Sequence, residues 1–282
     1  MLRGLIKDAI SLLPFSLKYE VFYQSGRSLG VTGYQANGNL GPMFGHMYDQ
    51  TIIKSYLRNQ EWSANLTAEI QRLFAESSRP GTFYDVGSNV GMVILSIAAN
   101  TNVKCFGFEP DSGNFALLEA NTIAHGYKNV ELFNVAVADK RGQLRLRRSE
   151  YNSGDHRLAR DGDVVVDCIR LDDLPIPTSP FAVKIDTQGA EPAIFEGGEK
   201  TLAAADLIIA EYWPWGMSQM GRSPKPIIDF ASRYFTRGLV VQHGESIGRP
   251  VPISDVVAQL RTISLSGGEF DWADLVLVGR GR

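Results

Sequence analysis

Four residues set the first chemical question in this sequence. Asp85 and Gly87 close the run Thr82-Phe83-Tyr84-Asp85-Val86-Gly87, Gly91 follows four positions later, and Glu109-Pro110 ends the next apolar run, Val103 to Phe108. Strand, glycine turn, helix, strand and acid is the layout of a nucleotide-type cofactor site. Glycines let the backbone approach a ligand closely. An acid at the tip of the second strand can accept hydrogen bonds from a ribose diol.

The spacing narrows the ligand. A dinucleotide site would carry Gly-x-Gly-x-x-Gly, whereas here Asn89 takes the middle position and Asp85 precedes the first glycine. An acid in that place suits a cationic head, because it bonds an ammonium group and favours a sulfonium electrostatically. S-adenosylmethionine has both, and a pyrophosphate would be repelled. Asp85, Gly87, Ser88, Asn89, Gly91, Glu109 and Pro110 are therefore the expected cofactor residues, with the backbone at Val135 and Ala136 flanking the adenine. Asn89 has a second reading, as a cap for the helix after it.

Chemistry on the acceptor needs further groups. Asp186 ends a later strand-like run on the same sheet edge and is the first candidate for a general base. His156, in the irregular stretch Asn152 to His156, is the second. Asp186 could equally cap the helix starting near Ala190, and Glu191 fits a helix first turn as well as an acceptor site. Glu211, Trp213 and Trp215 follow the fifth strand and offer aromatic surface for a sugar or planar acceptor, or core packing under a loop. Lys184 reads as the partner of an acid. His46 and Glu61-Trp62 are placed to reach the site from the amino-terminal segment. No set of ligands has convincing metal spacing, although Asp186 and Glu211 could meet around a divalent ion.

The elements that must hold these groups alternate from residue 80 onward. Strands fit 82–87, 103–109, 130–138, 181–187, 206–212, 238–242 and 274–279; helices fit 90–100, 112–125, 190–204, 225–236 and 254–262. That pattern predicts an α/β fold with a mostly parallel seven-stranded sheet and helices on both faces. Residues 143–148 and 164–171 alternate apolar and polar positions, so a β-hairpin insertion replaces one crossover helix. Lys140, Arg141, Arg145, Arg147, Arg148, Arg157 and Arg160 cluster there, as the solvated face of a hairpin or as a grip on a phosphate-bearing acceptor. Residues 1–80 read as a mainly helical cap and 81–282 as the cofactor-binding domain.

Taken in order, Tyr84-Asp85-Val86-Gly87-Ser88-Asn89-Val90-Gly91, Phe108-Glu109-Pro110, Asn134 to Asp139, Leu171-Asp172-Asp173-Leu174 and Lys184 to Glu191 resemble the FkbM family of methyltransferases over residues 80 to 212. The resemblance implies the class I methyltransferase (Rossmann-like) fold, S-adenosylmethionine as cofactor, and methylation of hydroxyls on sugars or polyketide-type metabolites. Ser88 stands where that family commonly has alanine, and Thr187-Gln188 where it commonly has valine and glutamate.

The expected function is O-methylation of a small-molecule hydroxyl, a sugar or glycoconjugate included. The rivals are N-methylation of an amine or protein side chain, a cofactor-binding scaffold without catalysis, and a nicotinamide enzyme. A net charge of -3 argues against a dedicated nucleic-acid binder. Cys105 and Cys168 read as core residues of a reducing compartment. No apolar run is long enough to span a bilayer, and Lys7 and Asp8 interrupt the amphipathic stretch Met1 to Phe15, which reads as a packed helix rather than a signal peptide or membrane-surface helix. A cytoplasmic protein follows, with a homodimer possible.

Overall fold

A computed structural model describes residues 12–242 and 247–280, so the stretch Met1 to Ser11 of the amphipathic segment lies outside the described residues. The chain divides into two compact units, residues 1–62 with 150–154 and residues 63–149 with 155–282.

The first unit is less helical than its composition suggests. Helix α1 (Phe15–Ser28) is followed by an antiparallel hairpin, β1 (Gly33–Gly38) and β2 (Gly41–His46), and by α2 (Ile52–Asn59). The hairpin occupies the glycine-rich stretch that the sequence marks only as a break. Ala36 and Met43 are its buried positions. Tyr19, Tyr23 and Met47 form a small core under α1. Asp49 starts α2 by accepting the amides of Thr51 (2.7 Å) and Ile52 (2.8 Å), and the Ser153 hydroxyl donates to its other oxygen.

The second unit begins at Ser63 rather than near residue 80. Its first helix, α3 (Ala64–Ala75), is amphipathic, and its Phe74 ring lies where a side chain on Gly81 would go, so it belongs to the sheet. The strands β3 (Gly81–Val86), β4 (Val103–Phe108), β5 (Val130–Phe133), β10 (Phe181–Ile185), β11 (Leu207–Tyr212), β12 (Phe235–Gln242), β13 (Val251–Pro252) and β14 (Ala273–Arg280) form one sheet in the order β13-β12-β14-β11-β10-β3-β4-β5. It has eight strands where seven were expected, the extra one being the two-residue β13. β5, β4, β3, β10 and β11 run parallel, and β14 lies antiparallel between β11 and β12. The near-continuous apolar runs of β10 and β11 are what a sheet covered on both faces requires.

Helices α4 (Met92–Ala98), α5 (Ser112–His125), α6 (Glu191–Gly197), α7 (Glu199–Ala203), α8 (Pro214–Gln219), α9 (Lys225–Tyr234) and α10 (Ile253–Ser266) complete this unit. The single helix expected over 190–204 steps at Gly198. Asp172 then starts α7 by accepting the amides of Lys200 and Thr201. The expected insertion is present and larger than a hairpin. β6 (Ala136–Val137), β7 (Gly142–Arg147), β8 (Arg157–Leu158) and β9 (Val164–Ile169) make a second sheet, ordered β6-β9-β7-β8. The strand expected over 130–138 is thus two strands in two sheets. The Asn134 amide parts them by donating to the carbonyls of Glu109 (2.8 Å) and Pro110 (3.1 Å).

Candidate functional site

The glycine loop is built as its sequence requires. Gly87 has φ +81°, and a Cβ there would lie 2.0 Å from the Asp186 carbonyl oxygen. Gly91 has φ +99°, with a Cβ position 2.7 Å from Leu118. Both demand glycine, for conformation and for space. The amides of Gly87 and Ser88 donate to the Phe108 carbonyl, and the Ser88 hydroxyl, buried, donates to the Asp85 carbonyl at 2.8 Å. Ser88 thus braces the loop from within. Asn89 takes φ +51°, and its side chain accepts from the Val90 amide; the N-cap of α4 is Gly91.

Glu109 is the loop's other wall. Its carboxylate is 4% exposed, with Oε2 accepting the Asn89 amide and Oε1 the Asp111 amide, each at 2.9 Å. Burial raises its pKa to about 7, against the pull of those two amides. A carboxylate accepts about four hydrogen bonds, so each oxygen keeps room for one more, which suits two vicinal hydroxyls. Pro110 is half-buried beside it. Val135 packs on the core, and Ala136 is buried in β6 where the chain crosses between sheets. Bare backbone at Gly87 and a two-handed acceptor at Glu109 fit the ribose end of S-adenosylmethionine.

Asp85 departs from expectation. Its carboxylate is fully buried and receives no hydrogen bond, and Lys184 Nζ stands 3.4 Å from Oδ1. Parallel pairing of the adjacent strands β3 and β10 sets Lys184 level with Asp85, although the two are about a hundred residues apart in sequence. Lys184 also reaches Asp186 Oδ2 at 3.4 Å and donates to the Gly87 carbonyl at 3.1 Å. Burial opposes its charge, yet the two carboxylates outweigh burial and hold its pKa above the ordinary lysine value. The direct ammonium contact expected of Asp85 is replaced by this ion pair.

Asp186 stands where sequence reasoning put it, at the tip of β10, with 45% of its side chain exposed. Its Oδ1 accepts from Gln188 Nε2 at 3.1 Å. Gln188 also donates to both oxygens of Glu211, at 3.2 and 3.1 Å, so its amide stands between the two acids that could have met around a divalent ion. Among the described residues no three or more His, Cys, Asp or Glu side chains are arranged so that they could hold a metal ion. Glu191 is fully buried and accepts the Thr187 amide (2.8 Å), the Thr187 hydroxyl (2.9 Å) and the Gly189 amide (3.0 Å). It therefore shapes the 187–189 turn and is not presented to an acceptor.

Among the remaining candidates, His156 Nδ1 accepts from the Ser149 amide at 3.0 Å. Because that donor is fixed, the neutral ring carries its hydrogen on Nε2, and taking a proton at Nδ1 would break the brace. The arrangement disfavours His156 as a base. Trp213 is 8% exposed and donates to the Glu269 carbonyl at 2.7 Å, so it is packed rather than offered. Trp215 is half-buried, 5.2 Å from Trp213, whose other neighbour is the Arg157 guanidinium at 5.7 Å. His46 lies in β2 of the first unit, stacked on Tyr48. The basic cluster is largely neutralised locally: Arg141 pairs with Asp173, Arg147 with Asp161, Arg148 with Asp111 and Arg157 with Asp155, while Arg145 donates to the Gly162 carbonyl.

Three residues were not anticipated as part of the site. Gln188 had been valued only as a departure from a glutamate. Lys184 reads from the sequence as the partner of an acid but not as a residue of the site. Asp274 faces Glu211 across the antiparallel β11–β14 pair; an acid inside the apolar run 273–278 was the available signal.

Comparison with known proteins bears on this arrangement. Residues 85–234, more than half of the chain, match the methyltransferase FkbM domain. The hexuronic acid methyltransferase AglP of Haloferax volcanii is 26% identical over 147 residues, which is 50% of this chain and 60% of that protein, so the chain spans less than two thirds of its relative. Among solved structures, a precorrin-6y C5,15-methyltransferase from Geobacter metallireducens is 12% identical, covering 82% of this chain and 92% of that one at a TM-score of 0.40. An rRNA methylase from Streptococcus thermophilus is 12% identical, covering 77% and 97% at 0.42. With the domain match spanning the glycine loop, Glu109, Asp186 and the turn after it, the chain belongs to the FkbM family of methyltransferases, enzymes that take their methyl group from S-adenosylmethionine.

Proposed function

We propose that this methyltransferase acts on a hydroxyl oxygen of a sugar, with Asp186 as general base. The observation that carries the reading is the Asp186 carboxylate: exposed at the sheet edge, next to the glycine loop, and flanked by Lys184 and Gln188. S-adenosylmethionine, held by the glycine loop and Glu109, would supply an electrophilic methyl group for transfer to the hydroxyl oxygen. Asp186 takes the hydroxyl proton, an assistance worth about 10²–10⁴-fold. The Lys184 ammonium pairs with its Oδ2, and the Gln188 amide holds Oδ1, so the carboxylate plane is fixed. Trp215 is half-buried beside Trp213, an aromatic face suited to stacking on a sugar ring. The hexuronic acid named for AglP is an acceptor of that kind.

The test uses purified protein, methyl-labelled S-adenosylmethionine and the glycan fraction of a cell extract. Label is expected in a base-stable methyl ether, with Asp186→Asn slower by about 10²-fold or more. Label released as methanol by mild base would mark a carboxylate acceptor. That result, or an Asp186→Asn variant as fast as the parent, would overturn the role of Asp186.

A further inference from the structure

Asp186 is one of several acids gathered at the same end of the sheet. Parallel pairing of β10 with β11 aligns Ile185 with Ala210, so the next residues, Asp186 and Glu211, come level. Antiparallel pairing sets Asp274 opposite Glu211. Glu191, at the start of α6, adds a fourth carboxylate behind them. Lys184 sits at the Asp186 end of the row, and among the described residues Glu211 has no cationic partner.

What joins Asp186 to Glu211 is a neutral amide. Gln188 Nε2 carries two hydrogens. One is directed to Asp186 Oδ1 at 3.1 Å, and the other is shared by the two oxygens of Glu211 at 3.2 and 3.1 Å. Lys184 holds Asp186 at Oδ2, so this exposed carboxylate is pinned at both oxygens. The turn that presents Gln188 is itself fixed. Gln188 has φ +58° and Gly189 φ +104°, and Glu191 accepts the amides on either side, from Thr187 and Gly189. A Cβ on Gly189 would lie 2.6 Å from the Gly216 backbone, so the turn is also wedged against α8.

We propose that Gln188 is a positioning residue: it joins Asp186 and Glu211 into one clamp that grips two neighbouring oxygens of the acceptor. The proposal rests on the reading of Asp186 as base. The two ends of the clamp differ in charge. Burial first, then Asp186, Glu191 and Asp274, push the Glu211 pKa well above the ordinary carboxylate value, with the Gln188 hydrogen bond the opposing influence. Asp186, by contrast, is exposed at the sheet edge and has the Lys184 ammonium 3.4 Å from its Oδ2. A carboxyl that burial keeps protonated can donate a hydrogen bond beside a neighbour that accepts a proton. The acceptor class that satisfies both is a vicinal diol: one hydroxyl donates to Asp186 while the adjacent oxygen accepts from Glu211.

The clamp can be tested without knowing the acceptor. Carboxyl-labelled full-length protein is titrated by ¹³C NMR as the parent, Asp186→Asn and Gln188→Met, with Glu211→Gln to assign the signal. Removing the neighbouring charge in Asp186→Asn should lower the Glu211 midpoint by about one pH unit or more. Removing the amide donor in Gln188→Met should raise it, since the lost hydrogen bond favours the ionised form. A Glu211 midpoint unmoved in both variants would overturn the clamp, even if Asp186→Asn had lost methyl transfer. If the midpoints move as stated while Asp186→Asn still methylates the glycan fraction at the parental rate, the coupling stands and the base assignment falls.

Discussion

Replacing Gly87 with alanine tests the site at the point where the cofactor loop and the candidate base touch. The new Cβ would sit 2.0 Å from the Asp186 carbonyl oxygen and 3.0 Å from its carbonyl carbon, on a residue with φ +81°. A left-handed backbone costs an L-residue about 1–2 kcal/mol, and forced overpacking adds about 1–3 kcal/mol. Relief requires about 1 Å of movement, in either the loop or the tip of β10. The tip is held by the Asp186 amide, which donates to the Val86 carbonyl at 3.0 Å, and by Lys184 on the Gly87 carbonyl. The loop therefore yields. With every 1.4 kcal/mol worth a factor of ten, S-adenosylmethionine affinity should fall about 10²-fold or more if most of the cost must be repaid on binding. Calorimetric titration measures it, with a thermal melt to confirm folding. Gly126→Ala is the control, because Gly126 also has positive φ (+71°) but nothing lies within 4 Å of its Cβ position. It should lose about 1–2 kcal/mol of stability with unchanged cofactor affinity. An affinity within threefold of the parent for Gly87→Ala would refute the reasoning.

Two further outcomes follow from the buried charges. Glu109, Glu191 and Asp274 have pKa values raised to about 7, chiefly by burial, from ordinary values near 4. The folded chain keeps protons that the unfolded chain releases, so their contribution to stability is full at pH 4 and is lost as pH rises through 7. Urea denaturation across pH 5 to 8 should show stability falling, with a shallower fall in Glu191→Gln; stability rising over that range would contradict the assignment. Lys184→Met strands the fully buried Asp85 carboxylate without its cation and should cost about 3 kcal/mol. Adding Asp85→Asn should recover part of that loss, and a single variant within about 1 kcal/mol of the parent would show the pair to be unimportant.

The parts of the site written within one short segment were legible in the sequence. Gly87 and Gly91 adopt the left-handed conformations that their positions after β3 imply, and Glu109 lies at the tip of β4 where the second apolar run ends. The sheet was legible because parallel strands buried on both faces need continuous apolar runs, which β10 and β11 have. What escaped depends on register between distant strands. Asp85 meets Lys184 because Thr82 aligns with Phe181, and Glu211 meets Asp274 because Tyr212 aligns with Ala273; neither alignment is encoded locally. The β1–β2 hairpin escaped because its glycines hide any alternation of apolar residues. Glu191 reads equally as a helix first-turn acid and as an acceptor-site residue, and its actual partners, the amides of Thr187 and Gly189, appear only once the turn closes.

The central pairing of β3 with β10 also dictates when the protein can fold during its own synthesis. β3 is complete by Val86, yet one flank stays open until Phe181–Ile185 has been made, with the whole second sheet emerging in between. During that interval the nascent chain presents an uncovered apolar strand, the kind of edge that recruits other chains. The span between the two strands also places the molecule among slow, long-range folders. Synthesis halted before Ile185 would leave a glycine loop without the strand tip it packs against. The same arrangement that sets Asp186 beside Gly87 thus withholds a working cofactor site until more than half of the chain exists.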